Sequence, residues 1–167
     1  MLFARALLSF LILPGFFAFI LPAWLAGIDA RRGDGWELGW VVVVIGASIV
    51  VWCVRDFYVA GKGTLAPWDP PRRLVVVGLY RYLRNPMYVG VLTLVVGWAL
   101  VLGSPLLLFY VLCLGIGFHL RTVLAEEPYL AAHFGEDWTR YRAAVRRWWP
   151  RTSPWHGSSN RGDSATT

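Results

Sequence analysis

The chain has 167 residues, a net charge of +6, 57% hydrophobic residues and a mean hydropathy of +0.52. Soluble domains use about 45–50% apolar residues, so the composition excludes an ordinary soluble domain and indicates a membrane protein. Lysines and arginines beside a membrane surface explain the positive charge, because they attract anionic lipid. We therefore expect the lipid bilayer as a partner and no nucleic acid.

Four apolar stretches predict four membrane-spanning helices. The first contains Pro14 and Pro22 and is longer than the apolar core of a secretory signal, which favours a kinked membrane helix over a cleaved signal. The composition and these stretches predict an all-α, integral-membrane helical bundle. The four predicted spans are Ala6–Ile28, Trp40–Val54, Met87–Leu102 and Leu106–Leu120.

The last two spans form a predicted helical hairpin, because Gly103-Ser104-Pro105 separates them and no Asp, Glu, Lys or Arg occurs from Asn85 to Leu120. Each helix of the hairpin has roughly 24 Å of apolar length, whereas the hydrocarbon core of a bilayer is ~30 Å thick. Each helix must therefore include neighbouring residues of the chain, or the hairpin must lie at a shallow depth in the membrane. Two successive spans return the chain to the side that it left. The segment Gly78–Tyr88 before the hairpin should therefore face Glu126 and Glu127 after it.

The basic residues predict the orientation. The loop from Gly61 to Pro86 carries five basic residues against Asp69 alone, whereas the loop between the first two spans is acidic on balance. By the positive-inside rule, the larger loop and both termini of this multi-pass protein are cytoplasmic. We assign residues 1–150 to one membrane domain. Residues 151–167 are rich in Ser, Gly, Asn and Thr and are predicted to be a disordered tail.

Two polar segments precede the hairpin. Pro67–Gly78 begins with prolines and ends in a β-branched run, which predicts an extended connector. Pro86 suits the first turn of a helix, and Asn85 can cap that helix. The helix start offers backbone donors and a partial positive charge to a carboxylate or another anion. An ordinary helix start with Arg84 as a snorkelling anchor explains the same residues.

Two carboxylates, Glu126 and Glu127, follow the hairpin directly. Adjacent charges at the foot of a membrane helix are costly to desolvate, so they should have cationic or hydrogen-bonding partners. One can be solvated at the start of the next helix, and we assign a ligand role to the other. Beyond Pro128 the apolar residues recur at helical spacing, with arginines between them. They predict a C-terminal amphipathic helix, interrupted at Gly135, on the inner leaflet or over the site: Leu130, Phe134, Trp138, Tyr141, Val145 and Trp148.

No motif of covalent or metal catalysis is present in the sequence. His119, His133 and His156 are scattered, and no serine lies in a nucleophile elbow. The glycines do not form a dinucleotide fingerprint after a strand. We therefore expect no metal site.

The combined motifs resemble the isoprenylcysteine carboxyl methyltransferase family, which is grouped with the phospholipid methyltransferases. The motifs lie within about Gly61–Pro150 and are Leu74-Val75-x-x-Gly78-x-Tyr80, Arg84-Asn85-Pro86-Met87-Tyr88-x-Gly90, Glu126-Glu127-x-x-Leu130 and Phe134-Gly135-x-x-Trp138-x-x-Tyr141. The resemblance implies a small integral-membrane enzyme that uses S-adenosylmethionine. Its cofactor-binding part would be about 61–150, and its active site would lie on the cytoplasmic side with the larger loop. The resemblance also implies these cofactor contacts: Arg72, Arg73, Leu74, Val75, Tyr80, Asn85, Pro86, Met87, Tyr88 and Glu126. We predict catalytic roles for Arg84, Arg121 and Glu127.

The chain departs from this family's pattern at two positions. Asn85 stands where the eukaryotic enzymes have histidine, and asparagine can form hydrogen bonds but cannot titrate near neutrality. The family's arginine before the glutamates is matched approximately by Arg121, because Thr122 falls at the aligned spacing.

Possible methyl acceptors differ in whether they must lose a proton before they can attack the methyl group. Methyl transfer from a sulfonium needs a positioned nucleophile and no covalent intermediate. A carboxylate is already ionised at neutral pH, and Arg121 would orient it. An amine or a thiol needs a base, for which the sequence offers no convincing candidate. We therefore favour a lipid-like or lipidated carboxylate as the acceptor. Two other methylation reactions stay open, phospholipid N-methylation and thiol S-methylation. So do two other functions, a nicotinamide-dependent membrane reductase and a non-enzymatic membrane scaffold.

Overall fold

The computed structural model describes residues 11–56, 59 and 74–157, and every regular element in these ranges is helical. The prediction of an all-α fold is thus confirmed. A π-helical stretch, Leu11–Ile20, continues into α1 (Leu21–Ile28). The later elements are α2 (Gly39–Asp56), a 3-10 turn (Gly78–Arg81), α3 (Pro86–Val101), α4 (Pro105–Arg121), a π-helical turn (Thr122–Glu126) and α5 (Glu127–Ala144).

Two helices are long and apolar enough to cross a membrane: α2, and α4 with its continuation to Ala144. The helices Gly15–Ile28 and α3 are apolar but shorter. In the most apolar 18-residue stretch of α2, only 33% is buried inside the protein. In the corresponding stretch of α4 and its continuation, only 17% is buried. Large side chains such as Val44, Phe109 and Leu112 are therefore exposed on the outer surface. Apolar surface of this extent needs an apolar environment, as in a membrane protein.

Helices α2 and α3 pack antiparallel, with their backbones in contact at two glycines. A Cβ atom added at Gly46 would lie 2.7 Å from Leu94 Cα, and one at Gly97 would lie 2.6 Å from Val43 N. Small residues allow membrane helices to approach this closely and gain van der Waals contact. Val50, Val91 and Val95 fill the core beside them. The contact with α2 therefore fixes the position of α3, including its start.

Replacing Gly46 by alanine is expected to destabilise the fold by about 1–3 kcal/mol, because the new methyl group meets the Leu94 backbone, which cannot rotate away. Gly117→Ala is the matched control, since a Cβ there meets nothing within 4 Å. Alanine in that open helical position should be neutral or stabilising by up to about 1 kcal/mol. Chemical unfolding in one detergent measures both changes, and equal effects would contradict the close α2–α3 packing.

The predicted helical hairpin is observed as α3, the turn Leu102–Ser104 and α4. Asp29 lies at the N-terminus of α4 and holds the turn. Its Oδ2 accepts hydrogen bonds from the Ser104 hydroxyl and from Leu106 N at 3.1 Å, while Oδ1 accepts from Arg31 N at 3.0 Å. The Ser104 bond lowers the pKa of Asp29, and the two backbone N–H groups lower it further against the opposing effect of burial.

This lowered pKa predicts a pH-dependent contribution of Asp29 to stability. A carboxylate with a depressed native pKa stabilises the fold above its unfolded value of about 3.9 and loses that contribution as the pH falls through the native value. The wild type should therefore be more stable than Asp29→Asn at pH 6, and the difference should shrink below about pH 4. Thermal unfolding of both proteins from pH 6 to pH 3 tests this, and a difference independent of pH would contradict it.

The C-terminal helix α5 is interrupted at Gly135, which has φ 47° and ψ −117°, so the predicted interruption is confirmed. Helix α5 ends at Ala144, because Val145 adopts an extended backbone with φ −117° and ψ 127°. The prediction that the helix reaches Trp148 is therefore wrong. Trp138, Tyr141 and Val145 are buried together, and Leu74 and Val76 of the extended segment pack against them.

Part of the predicted tail contacts the 3-10 turn. Arg151 N donates to Tyr82 O at 3.0 Å, and Trp155 N donates to Arg81 O at 2.9 Å. Residues 158–167 lie outside the described residues. The division into a domain at 1–150 and a tail at 151–167 stays a prediction.

Candidate functional site

The hairpin brings the start of α3 beside the end of α4 and the start of α5. Arg84 Nη1 lies 2.9 Å from Glu127 Oε1, and the Tyr88 hydroxyl donates a hydrogen bond to Glu126 Oε1. The predicted approach of Gly78–Tyr88 to the two glutamates is thus observed. Each glutamate has its own set of partners, and the two sets differ in exposure.

Glu127 is buried among arginines, with only 8% of its side chain exposed. Arg147 binds it with two hydrogen bonds, Nε to Oε1 at 2.7 Å and Nη2 to Oε2 at 3.0 Å, and Arg142 Nε lies 4.0 Å from Oε2. Burial raises the pKa of Glu127, but the Arg147 hydrogen bonds and the positive charges of Arg84, Arg147 and Arg142 outweigh it, so the pKa lies below its ordinary value. Glu127 is therefore ionised at neutral pH.

Arg84 is held on several sides. Its side chain is 9% exposed, its guanidinium lies 5.4 Å from the centre of the Trp138 ring, and its backbone N donates to Arg146 O at 3.0 Å. Burial lowers the pKa of Arg84 despite the attraction of Glu127. Its Nε has no hydrogen-bond partner within the described residues. Arg84 thus ties the start of α3 to α5 and to the chain that follows it.

Glu126 has a more open environment, with 29% of its side chain exposed. Arg121 Nε lies 2.9 Å from Glu126 Oε1 and donates to the Tyr88 hydroxyl at 3.1 Å. The Tyr88 ring stacks on Phe118 with centroids 4.2 Å apart. Tyr88, Arg121 and Glu126 therefore form one half-exposed polar group, which we call the Glu126 group, at the foot of the hairpin.

Asn85 precedes α3 as predicted, but its side chain makes no capping hydrogen bond, so that prediction is wrong. Its Nδ2 instead points toward Arg147 O, at 3.5 Å. Pro86 is buried in the first turn. The N–H groups of a first helical turn have no partner within the helix. Without a side-chain cap, those of Met87 and Tyr88 can bind an anion.

The remaining predicted cofactor contacts lie in or before the 3-10 turn. Val75 and Tyr80 are buried with Cys53, and Met87 packs against them. Tyr141 donates its hydroxyl hydrogen to Tyr80 O at 2.6 Å. Leu74 packs on the opposite cluster, around Trp138. Two of the predicted contacts, Arg72 and Arg73, lie outside the described residues.

Sequence reasoning missed two contacts of the site. Arg147 binds Glu127 through two hydrogen bonds, and Trp148 Nε1 donates to His119 Nδ1 at 3.2 Å. Arg147 is one of four arginines from Arg140 to Arg147, and nothing in their spacing distinguishes it. Its role depends on how the chain turns after α5. In the described part of the chain, no group of three or more His, Cys, Asp and Glu side chains could hold a metal ion.

Comparison with known proteins assigns a family to this arrangement. The model of the phospholipid methyltransferase family matches residues 36–137, more than half of the chain. The chain belongs to the phospholipid methyltransferase family. The matched range contains α2, α3, α4 and both glutamates. The resemblance identified from the motifs is thus confirmed.

Two related proteins align with part of this chain. The protein-S-isoprenylcysteine O-methyltransferase of Schizosaccharomyces pombe is 37% identical over 75 residues, which are 43% of this chain and 30% of that protein. An uncharacterized protein of Haemophilus influenzae is 34% identical over 62 residues, which are 37% of this chain and 98% of that protein. The match thus spans less than a third of the length of the yeast relative. No solved structure matches the chain significantly.

Proposed function

We propose that this protein is a membrane methyltransferase that moves the methyl group of S-adenosylmethionine to a lipid-like or lipidated acceptor. The observation that carries the proposal is the Glu126 group, a half-exposed carboxylate, phenol and guanidinium joined by hydrogen bonds in a member of the phospholipid methyltransferase family. A scaffold has no need for charges at the foot of a membrane hairpin, where they are costly.

The residues present fit S-adenosylmethionine. Glu126 is partly exposed and can accept hydrogen bonds from ribose hydroxyls or an ammonium group. The uncapped first turn of α3 offers backbone donors to the carboxylate of the methionine part. The Tyr88 ring is aromatic surface for adenine or for a sulfonium. When bound, S-adenosylmethionine supplies an electrophilic methyl group on a positively charged sulfur.

Glu127 and Arg84 were predicted to be catalytic, and their burial supports a positioning role instead. Both oxygens of Glu127 accept hydrogen bonds from arginine, which leaves little capacity for a ligand. We propose that this ion pair fixes the start of α3 relative to α5, and that the Glu126 group then lies at the correct distance from the uncapped turn. Catalytic and binding geometry depends on such supporting contacts.

The surroundings of the Glu126 group favour a carboxylate as the acceptor. Arg121 uses only Nε for Glu126 and Tyr88, and within the described chain its two Nη groups make no hydrogen bond. They can bind a carboxylate through two parallel hydrogen bonds. The name of the yeast relative, an O-methyltransferase, supports ester formation by this chain as well.

His119, two residues before Arg121, is a candidate for the base that an amine or thiol acceptor would need. Its Nδ1 accepts the indole hydrogen of Trp148, so the neutral ring carries its proton on Nε2. The lone pair that a base must offer is therefore occupied. The family name keeps phospholipid N-methylation as the second candidate, for which Trp148 would have to release His119.

For topology, we propose four membrane spans, with the Glu126 group and both termini on the cytoplasmic side. The outward apolar faces of α2 and α4 support spans at these helices. The shorter helices Gly15–Ile28 and α3 suit spans where the bilayer is locally thinned.

Calorimetric titration of the detergent-purified protein tests the function. We expect micromolar binding of S-adenosylmethionine and S-adenosylhomocysteine and no binding of a reduced nicotinamide dinucleotide. Binding of neither sulfur compound would favour a scaffold, and binding of the dinucleotide alone would favour a reductase.

A further inference from the structure

Another carboxylate is buried at the end of α2. Asp56, the last residue of α2, is 7% exposed. Arg55 approaches its Oδ1 only at 3.9 Å, and its Oδ2 has no hydrogen-bond partner within residues 11–56, 59 and 74–157. Leaving a buried carboxylate oxygen unpaired costs free energy, and natural proteins rarely tolerate this without a function.

Gly78 makes room for this oxygen. Its φ is +51°, a left-handed conformation that glycine adopts readily, and a Cβ atom at this position would collide with Asp56 Oδ2. The same atom would lie 3.0 Å from Trp52 Nε1. Because Gly78 has no side chain, Asp56 Oδ2 lies directly against the 3-10 turn, in the position that a Cβ atom would otherwise take.

The Asp56 carboxylate lies close to the cluster that contacts the start of α3. Asp56 lies one turn beyond Cys53 on α2, and Cys53 packs with Tyr80 and, at the edge of the same cluster, with Met87. The next residue, Tyr88, belongs to the Glu126 group. Asp56 thus lies against Gly78 and Glu126 against Tyr88, so both carboxylates contact the segment Gly78–Tyr88.

We propose that Asp56 is a second ligand of the methyl donor and that its Oδ2 accepts a hydrogen bond from an ammonium or hydroxyl group of that molecule. This inference rests on the proposed function. Such an ionised acceptor gives a strong, charge-assisted hydrogen bond, and binding satisfies the unpaired oxygen at the same time. Glu126 and Asp56 then hold two separate donor groups of one small molecule.

Replacement of Asp56 by asparagine tests the proposal with little change of shape. Binding of S-adenosylhomocysteine should weaken by about 10- to 100-fold, because a charged acceptor becomes neutral. The unfolding temperature without ligand should stay equal or rise, since an uncompensated buried charge is removed. Asp137→Asn is the matched control, because Asp137 is 71% exposed, and it should change neither quantity.

Two ligands identify the group that Asp56 binds. 5′-Methylthioadenosine keeps the ribose but lacks the ammonium group of S-adenosylhomocysteine. An equal loss of affinity for both in Asp56→Asn assigns the ribose hydroxyls, and a loss for S-adenosylhomocysteine alone assigns the ammonium. A lower unfolding temperature with unchanged affinity would overturn the proposal, because Asp56 would then be the partner of a cation in its own chain. If the wild type binds neither ligand, the proposed function fails first. Gly78→Ala should also weaken binding, because its methyl group would take the position of Asp56 Oδ2 and displace the carboxylate.

Discussion

The Glu126→Ala variant is expected to fold and insert normally but to lose measurable binding of S-adenosylhomocysteine. Glu126 is 29% exposed and Arg121 is 42% exposed, so breaking their ion pair should cost only about 0–1 kcal/mol of stability. The ligand, in contrast, loses an ionised acceptor with two oxygens. Charge-assisted hydrogen bonds contribute about 1.5–3 kcal/mol each, so two of them account for a loss of roughly 100-fold or more.

Calorimetric titration of wild type and variant under one detergent condition measures this loss. Glu136→Ala removes an exposed carboxylate from α5, the helix that follows Glu126, and should leave affinity unchanged. Glu126→Gln keeps the shape and should bind weakly. If Glu126→Ala binds as tightly as the wild type, the Glu126 group is not the cofactor site.

The Glu127→Ala variant should show the largest loss of stability, about 3–5 kcal/mol, because the guanidinium of Arg84 is left buried without its partner. Arg147 is 25% exposed and can turn toward water, whereas Arg84 at 9% exposure cannot. The start of α3 then loses its attachment to the chain after α5. Chemical unfolding in detergent gives the free energy, and a titration with S-adenosylhomocysteine gives the effect on the site.

Asp137→Ala is the matched control for this loss. It removes a carboxylate from the same helix, but its ion pair with Arg140 is 71% and 54% exposed, so its cost should stay within about 1 kcal/mol. A loss below about 1 kcal/mol in Glu127→Ala would mean that the arginine cluster is solvated rather than buried.

Much of the fold follows from local patterns. The charge-free interval from Asn85 to Leu120 and the turn at Gly103-Ser104-Pro105 predicted the hairpin, because apolar length and turn residues act over a few positions. The hairpin in turn brought Arg84 and Tyr88 to the glutamates. The interruption of α5 at Gly135 could likewise be predicted from the sequence, since glycine interrupts a helix locally. The end of α5 at Ala144 was not, because the burial of Val145 depends on residues far away in the chain.

The apolar helices, the hairpin and the approach of two glutamates to the start of α3 could therefore be predicted from the amino-acid sequence, since each depends on periodicity and chain reversal. Which of the two glutamates is buried depends on contacts between residues that are distant in the sequence. Glu127 is enclosed because Arg147, after α5, turns back onto it, and Glu126 stays half exposed beside Arg121. Tertiary packing also brought Gly78 over Asp56, because α2 and the 3-10 turn meet through contacts between residues far apart in the chain.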